Sequence, residues 1–329
     1  MSCSPKAAPR FSLIVPVYRV ERFLRDALEA VRAQTFAGWE ALCVDDGSPD
    51  ACGAALDEAV REDGRIRVVH QRNAGVSAAR NRALGRVRGE YVLFLDPDDA
   101  VCPGWFAAFD AVIRRHAPDL VQFDYRYFPA ESDWRALPEP RFDLDACRVA
   151  TEPRTCAEAF GPRLVNGGYP WTKAWRAGIL EGKRFPVGIA LYEDRHFLWD
   201  VFPDIHRLAV ADFPGYFYRQ GAASALTKPR PALERAHITV SEYRALFTLD
   251  RRLRGDPRRP YPLFYYAIHA WAGFRIKLHL RRPDKPIVLP TTLPPAARTR
   301  LAILARLLFL RLLFAAERLR YALSLLLRR

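Results

Sequence analysis

Short apolar runs alternate with helical patterns between Phe11 and about Tyr127, and this alternation constrains the fold more than any other feature. The runs FSLIVPV, ALCV, IRVVH, YVLFL and LVQFDYRY are predicted strands, and segments with a helical period separate them. Such alternation is typical of a mostly parallel sheet with helices on both faces. We therefore predict an α/β fold whose ligands bind beyond the carboxyl ends of the strands.

The character of the sequence changes twice further along. Residues 128–153 contain prolines and mixed charge without a clear period, so we interpret them as a linker or irregular excursion. Residues 155–227 are rich in Gly and aromatic side chains and are assigned to the first domain. Beyond Pro229 the pattern changes to Arg-rich helices. The predicted domains are thus residues 1–228 and a helical C-terminal region at residues 229–329.

The chain is strongly basic, with 51 Lys and Arg against 37 Asp and Glu and a net charge of +14. This balance favours an anionic partner such as a phosphate-bearing ligand, an anionic lipid surface or a nucleic acid. Residues 296–329 hold eight Arg and one Glu, and their leucines share one helical face. They predict an amphipathic helix lying on an anionic membrane. The alternative is a helix packed on the protein's own core or on a subunit.

Other sequence features indicate the compartment. The first ten residues lack an apolar secretion signal, and no run of about eighteen uncharged apolar residues occurs. The six cysteines form no CxxC pair or metal-binding spacing, which favours reduced thiols. We expect a cytoplasmic protein, peripheral at the cytoplasmic face of the inner membrane. The oligomeric state stays open.

Two acidic clusters directly follow predicted strands. Asp45 and Asp46 begin DDGS after ALCV, where a plain turn is an equally good explanation. Asp96, Asp98 and Asp99 follow YVLFL, and three carboxylates within four residues repel one another unless cations compensate them. Hard oxygen ligands of this kind suit Mg²⁺ or Mn²⁺. The alternative for the second cluster is an N-terminal cap on the helix that follows.

The segment RNAGVSAARN lies between these clusters. Gly75 permits an unusual backbone angle, and Ser77 is placed to cap the next helix. Arg80 falls one turn into that helix, where a guanidinium can bind a pyrophosphate with two hydrogen bonds. A solvated helical arginine is the alternative.

Taken together, FSLIVPVY, VDDGS, NAGVSAARN and GEYVLFLDPDD resemble, in order and spacing, the family 2 glycosyltransferases of the GT-A fold, of the bacterial cell-surface polysaccharide type. The resemblance extends to YPWTKAWR and LYEDRHFLW and covers about residues 11–226. It implies a Rossmann-like GT-A domain, a nucleotide-diphosphate sugar as donor, a divalent metal and inversion of the anomeric centre by direct displacement.

The resemblance also implies roles for the residues at the donor side. Pro16 and Tyr18 would flank the base, and Asp46 would accept a hydrogen bond from a uracil-like ring, with Asp45 the less favoured partner. Arg80 would touch the nucleotide or its phosphates. Two further roles come from the Asp-x-Asp motif: Asp96 would face the ribose or the metal, and Asp98 would bind the metal, Mn²⁺ or Mg²⁺.

On the acceptor side, the family's Glu-Asp pair corresponds to Glu193 and Asp194. Asp194 would be the general base, and Glu193 would position the acceptor or tune that carboxylate. Trp171 and Lys173 fall where the family places acceptor-binding residues, although core packing explains the tryptophan as well.

The sequence thus predicts transfer of a hexose or aminosugar, from a UDP-sugar in first preference, to a cell-surface glycan or lipid-linked acceptor. One alternative is a sugar nucleotidyltransferase, which would need a Gly-rich basic loop that VPVYRVERFL lacks. The other is a non-catalytic basic protein that binds membrane or nucleic acid. Clustered acidic residues at the ligand edge would repel a polyanion, so we expect no nucleic-acid partner.

Overall fold

The computed structural model describes residues 8–151, 169–188 and 193–220. The strands in these ranges are β1 (Phe11–Val17), β2 (Trp39–Asp45), β3 (Ile66–His70), β4 (Tyr91–Phe94), β5 (Ala100–Val101), β6 (Leu120–Gln122), β7 (Tyr125–Pro129), β8 (Arg148–Ala150), β9 (Lys173–Arg176), β10 (Leu208–Val210) and β11 (Tyr216–Gln220). The α-helices are α1 (Glu21–Arg32), α2 (Cys52–Glu62), α3 (Val76–Leu84), α4 (Trp105–His116) and α5 (Glu193–Val201).

A large mixed sheet forms the centre of the described part of the chain. Its eight strands are ordered β3-β2-β1-β4-β9-β6-β10-β8. β1 lies parallel between β2 and β4, β9 runs antiparallel to both of its neighbours, and β8 runs antiparallel to β10 at one edge. The other strands share one direction, which confirms the predicted α/β class with a mostly parallel sheet.

Helix α1 shows why these segments fold as they do. Its buried residues Leu24, Leu28 and Val31 recur at the spacing of one helical face, as the sequence predicts. Glu21 stands in its first turn and Arg32 in its last, the charge order that the helix dipole favours. The apolar face of α1 therefore packs inward while its charged residues stay at the surface.

The structure corrects two strand assignments. The predicted single strand LVQFDYRY is two strands, β6 in the large sheet and β7 in a second sheet with order β5-β11-β7. The chain leaves the large sheet at Phe123, whose amide donates to the carbonyl of Thr172 and whose ring stacks on Phe109. The interpretation of residues 128–153 as irregular was also incomplete, because this range contains β8, which pairs with the distant strand β10.

Several predictions lie wholly or partly outside the described residues. These are the domain boundary at residues 228 and 229, the helical C-terminal region and the amphipathic helix at residues 296–329. Within the described ranges, no helix has the length and apolar character needed to cross a membrane. The cysteines described there, at positions 43, 52, 102 and 147, are free thiols.

Candidate active site

The carboxyl ends of β1, β2 and β4 meet at one edge of the large sheet. Val17 pairs with Asp45 across β1 and β2, and the amide of Asp46 donates to the carbonyl of Val17. Pro16 is buried within β1, whereas Tyr18, directly after the strand, is 39% exposed. The register of the sheet therefore brings both predicted acidic clusters to the same edge.

The carboxylate of Asp46 holds the loop before α3. One oxygen accepts hydrogen bonds from the Gln71 side chain and the Ala74 amide, at 2.7 and 2.8 Å, and the other accepts from the Gly75 amide at 2.8 Å. Asp46 is 3% exposed. Its carboxylate thus organises the loop, and the predicted contact with a nucleotide base stays a prediction.

Asp45 belongs to a separate chain of polar contacts. Its carboxylate accepts from the Ser48 amide at 2.9 Å and lies 2.9 Å from Nδ1 of His70, whose Nε2 lies 3.0 Å from Asp57. Burial acts to raise the pKa of Asp45, but the hydrogen bonds from His70 and Ser48 outweigh it and lower the pKa. The carboxylates of Asp45 and Asp57 in turn raise the pKa of His70.

Helix α3 begins two positions earlier than a cap by Ser77 requires. Gly75 occupies the cap position with φ of 90°, and Ser77 is the second residue of the helix. The Ser77 hydroxyl is buried with no hydrogen-bond partner in the described part of the chain, so the predicted cap was wrong. Gly75 takes that position because its positive φ suits glycine and its amide is already held by Asp46.

Arg80 bridges two of the predicted acidic segments. Its guanidinium donates to Asp96 Oδ1 at 3.0 Å and to Glu193 Oε1 at 2.9 Å, and it lies 5.2 Å from the centre of the Phe185 ring. The side chain is 5% exposed. Burial acts to lower the pKa of Arg80, but the charges of Asp96, Glu193 and Asp194 outweigh it and raise the pKa.

The bridge formed by Arg80 joins residues that are far apart in the chain. Its neighbour Asn81 ties the same helix to the Phe185 backbone through two hydrogen bonds of 2.8 Å. Helix α3 therefore connects the Asp-x-Asp segment after β4 with the carboxylate pair at the start of α5. The predicted contact of Arg80 with the nucleotide stays a prediction.

Asp98 lies next to this bridge with fewer contacts. Its side chain is only partly exposed, and burial together with the negative charge of Asp96 raises its pKa to about 6. A cation beside the carboxylate would offset both effects by favouring the ionised form. Asp98 is therefore a residue of this segment at which a bound cation would favour the ionised carboxylate.

Asp99 is fixed by the second sheet instead. Its carboxylate accepts from the Tyr216 hydroxyl at 2.6 Å and from the Arg219 amide at 2.8 Å. The Arg219 guanidinium donates to the carbonyl of Asp98 at 2.7 Å. Burial raises the pKa of Asp99 well above its usual value, and the charges of Asp98 and Asp96 add to that effect. These contacts hold the acidic segment against β11. The alternative that Asp98 or Asp99 caps α4 is wrong, because Gly104 is the N-cap residue of that helix and no side chain caps it.

Glu193 and Asp194 open helix α5 beside Arg80. Burial and the charge of Glu193 raise the pKa of Asp194 to about 6. Lys173, fully buried at the start of β9, donates to the Tyr169 carbonyl at 2.8 Å, and burial lowers its pKa to about 7 while Asp194 opposes the change. The negative charge of Asp194 thus acts on the ammonium group of Lys173 in the folded protein.

Trp171 is enclosed by tyrosines. It is 3% exposed and stacks on Tyr169 and Tyr216, with ring centres 4.7 and 4.2 Å apart. Tyr125 contacts its edge at 4.9 Å. A direct acceptor contact by Trp171 stays a prediction, since most of its surface is covered by these rings.

A divalent metal fits this site when substrate phosphates or water complete its coordination. No group of three or more His, Cys, Asp and Glu side chains within the described ranges forms a self-contained metal site. Magnesium commonly uses one or two carboxylates together with water and substrate phosphates. The hard oxygens of Asp98 and Asp96 match that donor set, and the raised pKa of Asp98 indicates a need for positive charge.

The sequence interpretation gave no role to several residues that shape the site. His70, Phe185, Tyr125 and Tyr127 are among them. The alternation of tyrosines in DYRYF and YFYRQ is a period-two signal that predicts a shared face, once both segments are known to be paired strands. No comparable local signal marks His70 or Phe185.

Comparisons with known proteins agree with this geometry. Residues 12–162 match the family described as Glycosyl transferase family 2. EpsJ, a glycosyltransferase of Bacillus subtilis, is 32% identical over 232 residues, which cover 69% of this chain and 66% of EpsJ. The glycosyltransferase GlyA of Streptococcus pneumoniae is 38% identical over 215 residues, covering 64% of this chain and 30% of GlyA. The matched region thus falls just short of two thirds of EpsJ and is under a third of GlyA.

Solved structures show the same fold. TarS 1-349 of S. aureus, crystallised with UDP-GlcNAc, superimposes with a TM-score of 0.58 at 23% identity, covering 73% of this chain and 65% of TarS. The described part of the chain thus has a GT-A Rossmann-like fold. The chain belongs to glycosyltransferase family 2, and the protein is a glycosyltransferase. This assignment replaces the alternatives of a nucleotidyltransferase and a non-catalytic binding protein.

Proposed function

We propose that the enzyme is an inverting, metal-dependent glycosyltransferase. It transfers a hexose or an aminosugar from a nucleotide-diphosphate sugar, in first preference a UDP-sugar, to a cell-surface glycan or lipid-linked acceptor. TarS supports the choice of donor, since that protein was crystallised with UDP-GlcNAc. The proposal places the enzyme at the cytoplasmic face of the inner membrane, held there by the basic helix predicted at residues 296–329.

The observation that carries this proposal is the Arg80 bridge. It holds Asp96 of the Asp-x-Asp segment and Glu193 of the Glu-Asp pair at 3.0 and 2.9 Å from one buried guanidinium. A donor site and an acceptor-activating carboxylate must be held in fixed relation for direct displacement, because the acceptor attacks opposite the leaving nucleotide. By binding both segments, Arg80 supports a fixed distance between the donor side and the acceptor side of the site.

Asp194 accepts the proton of the acceptor hydroxyl as that oxygen attacks the anomeric carbon. A general base works best when its pKa lies near the operating pH, and burial with the charge of Glu193 raises the pKa of Asp194 to about 6. The bond between the anomeric carbon and the nucleotide diphosphate breaks as the new glycosidic bond forms, so no covalent enzyme intermediate is needed.

Asp98 and Asp96 are the residues that would hold Mn²⁺ or Mg²⁺. When bound, the cation supplies positive charge that stabilises the departing diphosphate. Asp99 does not need to ligate it, because its carboxylate already accepts from Tyr216 and Arg219. Its role is to keep the acidic segment in place.

The test is a thermal-shift panel of UDP-, GDP-, CMP- and dTDP-sugars, each with and without Mn²⁺. A ligand that binds the native state raises the melting temperature by mass action. We expect a rise with UDP-sugars that depends on Mn²⁺. A panel without any rise would contradict the donor assignment, and an equal rise without Mn²⁺ would contradict the metal requirement.

A further inference from the structure

The second sheet carries a row of tyrosines on one face. β7 and β11 run parallel, with Tyr125 paired to Tyr216 and Tyr127 paired to Tyr218. Side chains alternate between the two faces of a strand, so these four tyrosines share one face. We call them the tyrosine face.

The opposite face of the same two strands is packed into the protein. Phe128 and Phe217 are each 1% exposed. The guanidinium of Arg126 lies 4.2 Å from the Phe217 ring centre, and that of Arg219 lies 4.5 Å from the Phe128 ring centre. The basic residues of both strands, Arg126 and Arg219, thus lie on this opposite side. The tyrosine face itself consists of uncharged side chains.

The tyrosine face becomes more exposed along its length. Tyr216 is fully buried and stacked on Trp171, Tyr125 and Tyr218 are partly exposed, and Tyr127 is 56% exposed. Tyr127 meets Tyr125 and Tyr218 edge to face, with ring centres 5.4 and 5.6 Å apart. Each ring is thus held by a neighbour before any ligand arrives, which lowers the conformational entropy lost on binding.

The buried end of the tyrosine face adjoins the candidate active site. The Tyr216 hydroxyl donates to Asp99 at 2.6 Å. The amide of Arg219, the residue after Tyr218 in β11, donates to Asp99 at 2.8 Å, so this part of the strand also lies against the acidic segment. A ligand on the exposed tyrosines would therefore extend toward the acidic segment.

We propose that the tyrosine face is an acceptor subsite that binds a neutral saccharide of more than one ring. This assignment rests on the proposed function. Sugar rings offer C–H surfaces that pack on aromatic rings and hydroxyls that pair with phenol hydroxyls, and rigid aromatic groups with a polar tip suit such amphipathic ligands. A lipid tail would favour aliphatic side chains, and a phosphate would favour Arg or Lys. The occupant is therefore the carbohydrate part of the acceptor.

The experiment uses the full chain on an array of immobilised neutral and anionic oligosaccharides of increasing length. We compare wild type with Tyr127→Ala, Tyr127→Phe and the control Val60→Ala, which changes an exposed residue on helix α2. We expect binding to neutral saccharides of more than one ring. Tyr127→Ala should weaken it about tenfold, as loss of an aromatic anchor does, while Tyr127→Phe and the control should retain most of it.

Two results would overturn the proposal. One is a wild-type chain that binds no saccharide or prefers anionic ones, and the other is Tyr127→Ala binding as well as wild type. Tyr218→Ala provides a second variant at a less exposed position. Thermal shift by UDP with Mn²⁺ is measured on the wild type, the two Tyr127 variants and the Val60 control, and we expect it unchanged. Its absence in all of them would count against the donor proposal alone, since saccharide binding is read separately.

Discussion

The acidic residues after β2 lie in a different environment from those after β4 and at the start of helix α5, although all of them are carboxylates. Both carboxylate oxygens of Asp46 accept hydrogen bonds from the loop before α3, and Asp45 is paired with His70. Asp98 and Asp194 instead lie beside other carboxylates, and burial together with those charges raises both pKa values to about 6. Asp45 and Asp46 accept hydrogen bonds from the protein and stabilise its loops. Asp98 and Asp194 are less well stabilised in their ionised form, which a bound cation or a proton can compensate.

The strongest test of this contrast is Asp98→Asn. We expect it to abolish the stabilisation by UDP with Mn²⁺ while the fold stays intact, because the amide cannot supply the charge that the metal requires. Thermal shift measures the effect, and circular dichroism checks the fold. Asp145→Asn, at a side chain that is 83% exposed, is the matched control. Normal stabilisation of the Asp98 variant would remove this residue from the metal site.

Asp194→Asn should retain donor binding and lose transfer by about 10² to 10⁴-fold, the usual contribution of a positioned general base. The wild-type rate should also fall as the pH drops through about 6, because the ionised form of Asp194 accepts the proton. The variant should lack this acid limb. Initial rates of nucleotide release across that pH range test both points, and full turnover by the variant would exclude Asp194 as the base.

Asp46→Ala tests the other side of the comparison. It leaves the amides of Ala74 and Gly75 without their acceptor, and an unsatisfied buried donor costs about 1–3 kcal/mol. We expect the free energy of unfolding in urea to fall by about 2 kcal/mol. Asp145→Ala should change it by less than about 0.5 kcal/mol. Equal stability of the two variants would mean that the loop does not depend on Asp46.

The smallest expected effect belongs to Arg80→Lys. An ammonium cannot donate to Asp96 and Glu193 with the fork geometry of the guanidinium. The ammonium keeps the positive charge but cannot lie at hydrogen-bond distance from both carboxylates as the guanidinium does. The lowering of the Asp194 pKa by Arg80 is then weaker, so that pKa rises. We expect the acid limb of the rate to move to higher pH by about half a unit. An unchanged pH profile would show that Arg80 does not tune Asp194.

Local sequence signals predict the elements well where the pattern lies within a single element. The apolar runs of β1, β2 and β4 are buried on both faces and read as continuous apolar stretches, and α1 shows its buried stripe directly. Strand β8 was not predicted, because its three residues carry no strand pattern of their own and form a strand by pairing with β10. The cap assigned to Ser77 failed because Asp46, remote in sequence, holds the Gly75 amide.

The sequence by itself determined the fold class, the family resemblance and the identity of the acidic segments, since each rests on residues that are close in the chain. Only the tertiary structure decided which carboxylates are satisfied and which are not. Arg80 meets Glu193 across 113 positions, and Tyr216 meets Asp99 across 117. Burial and charge at such contacts depend on how separate elements pack, and no local pattern of residue types encodes that packing.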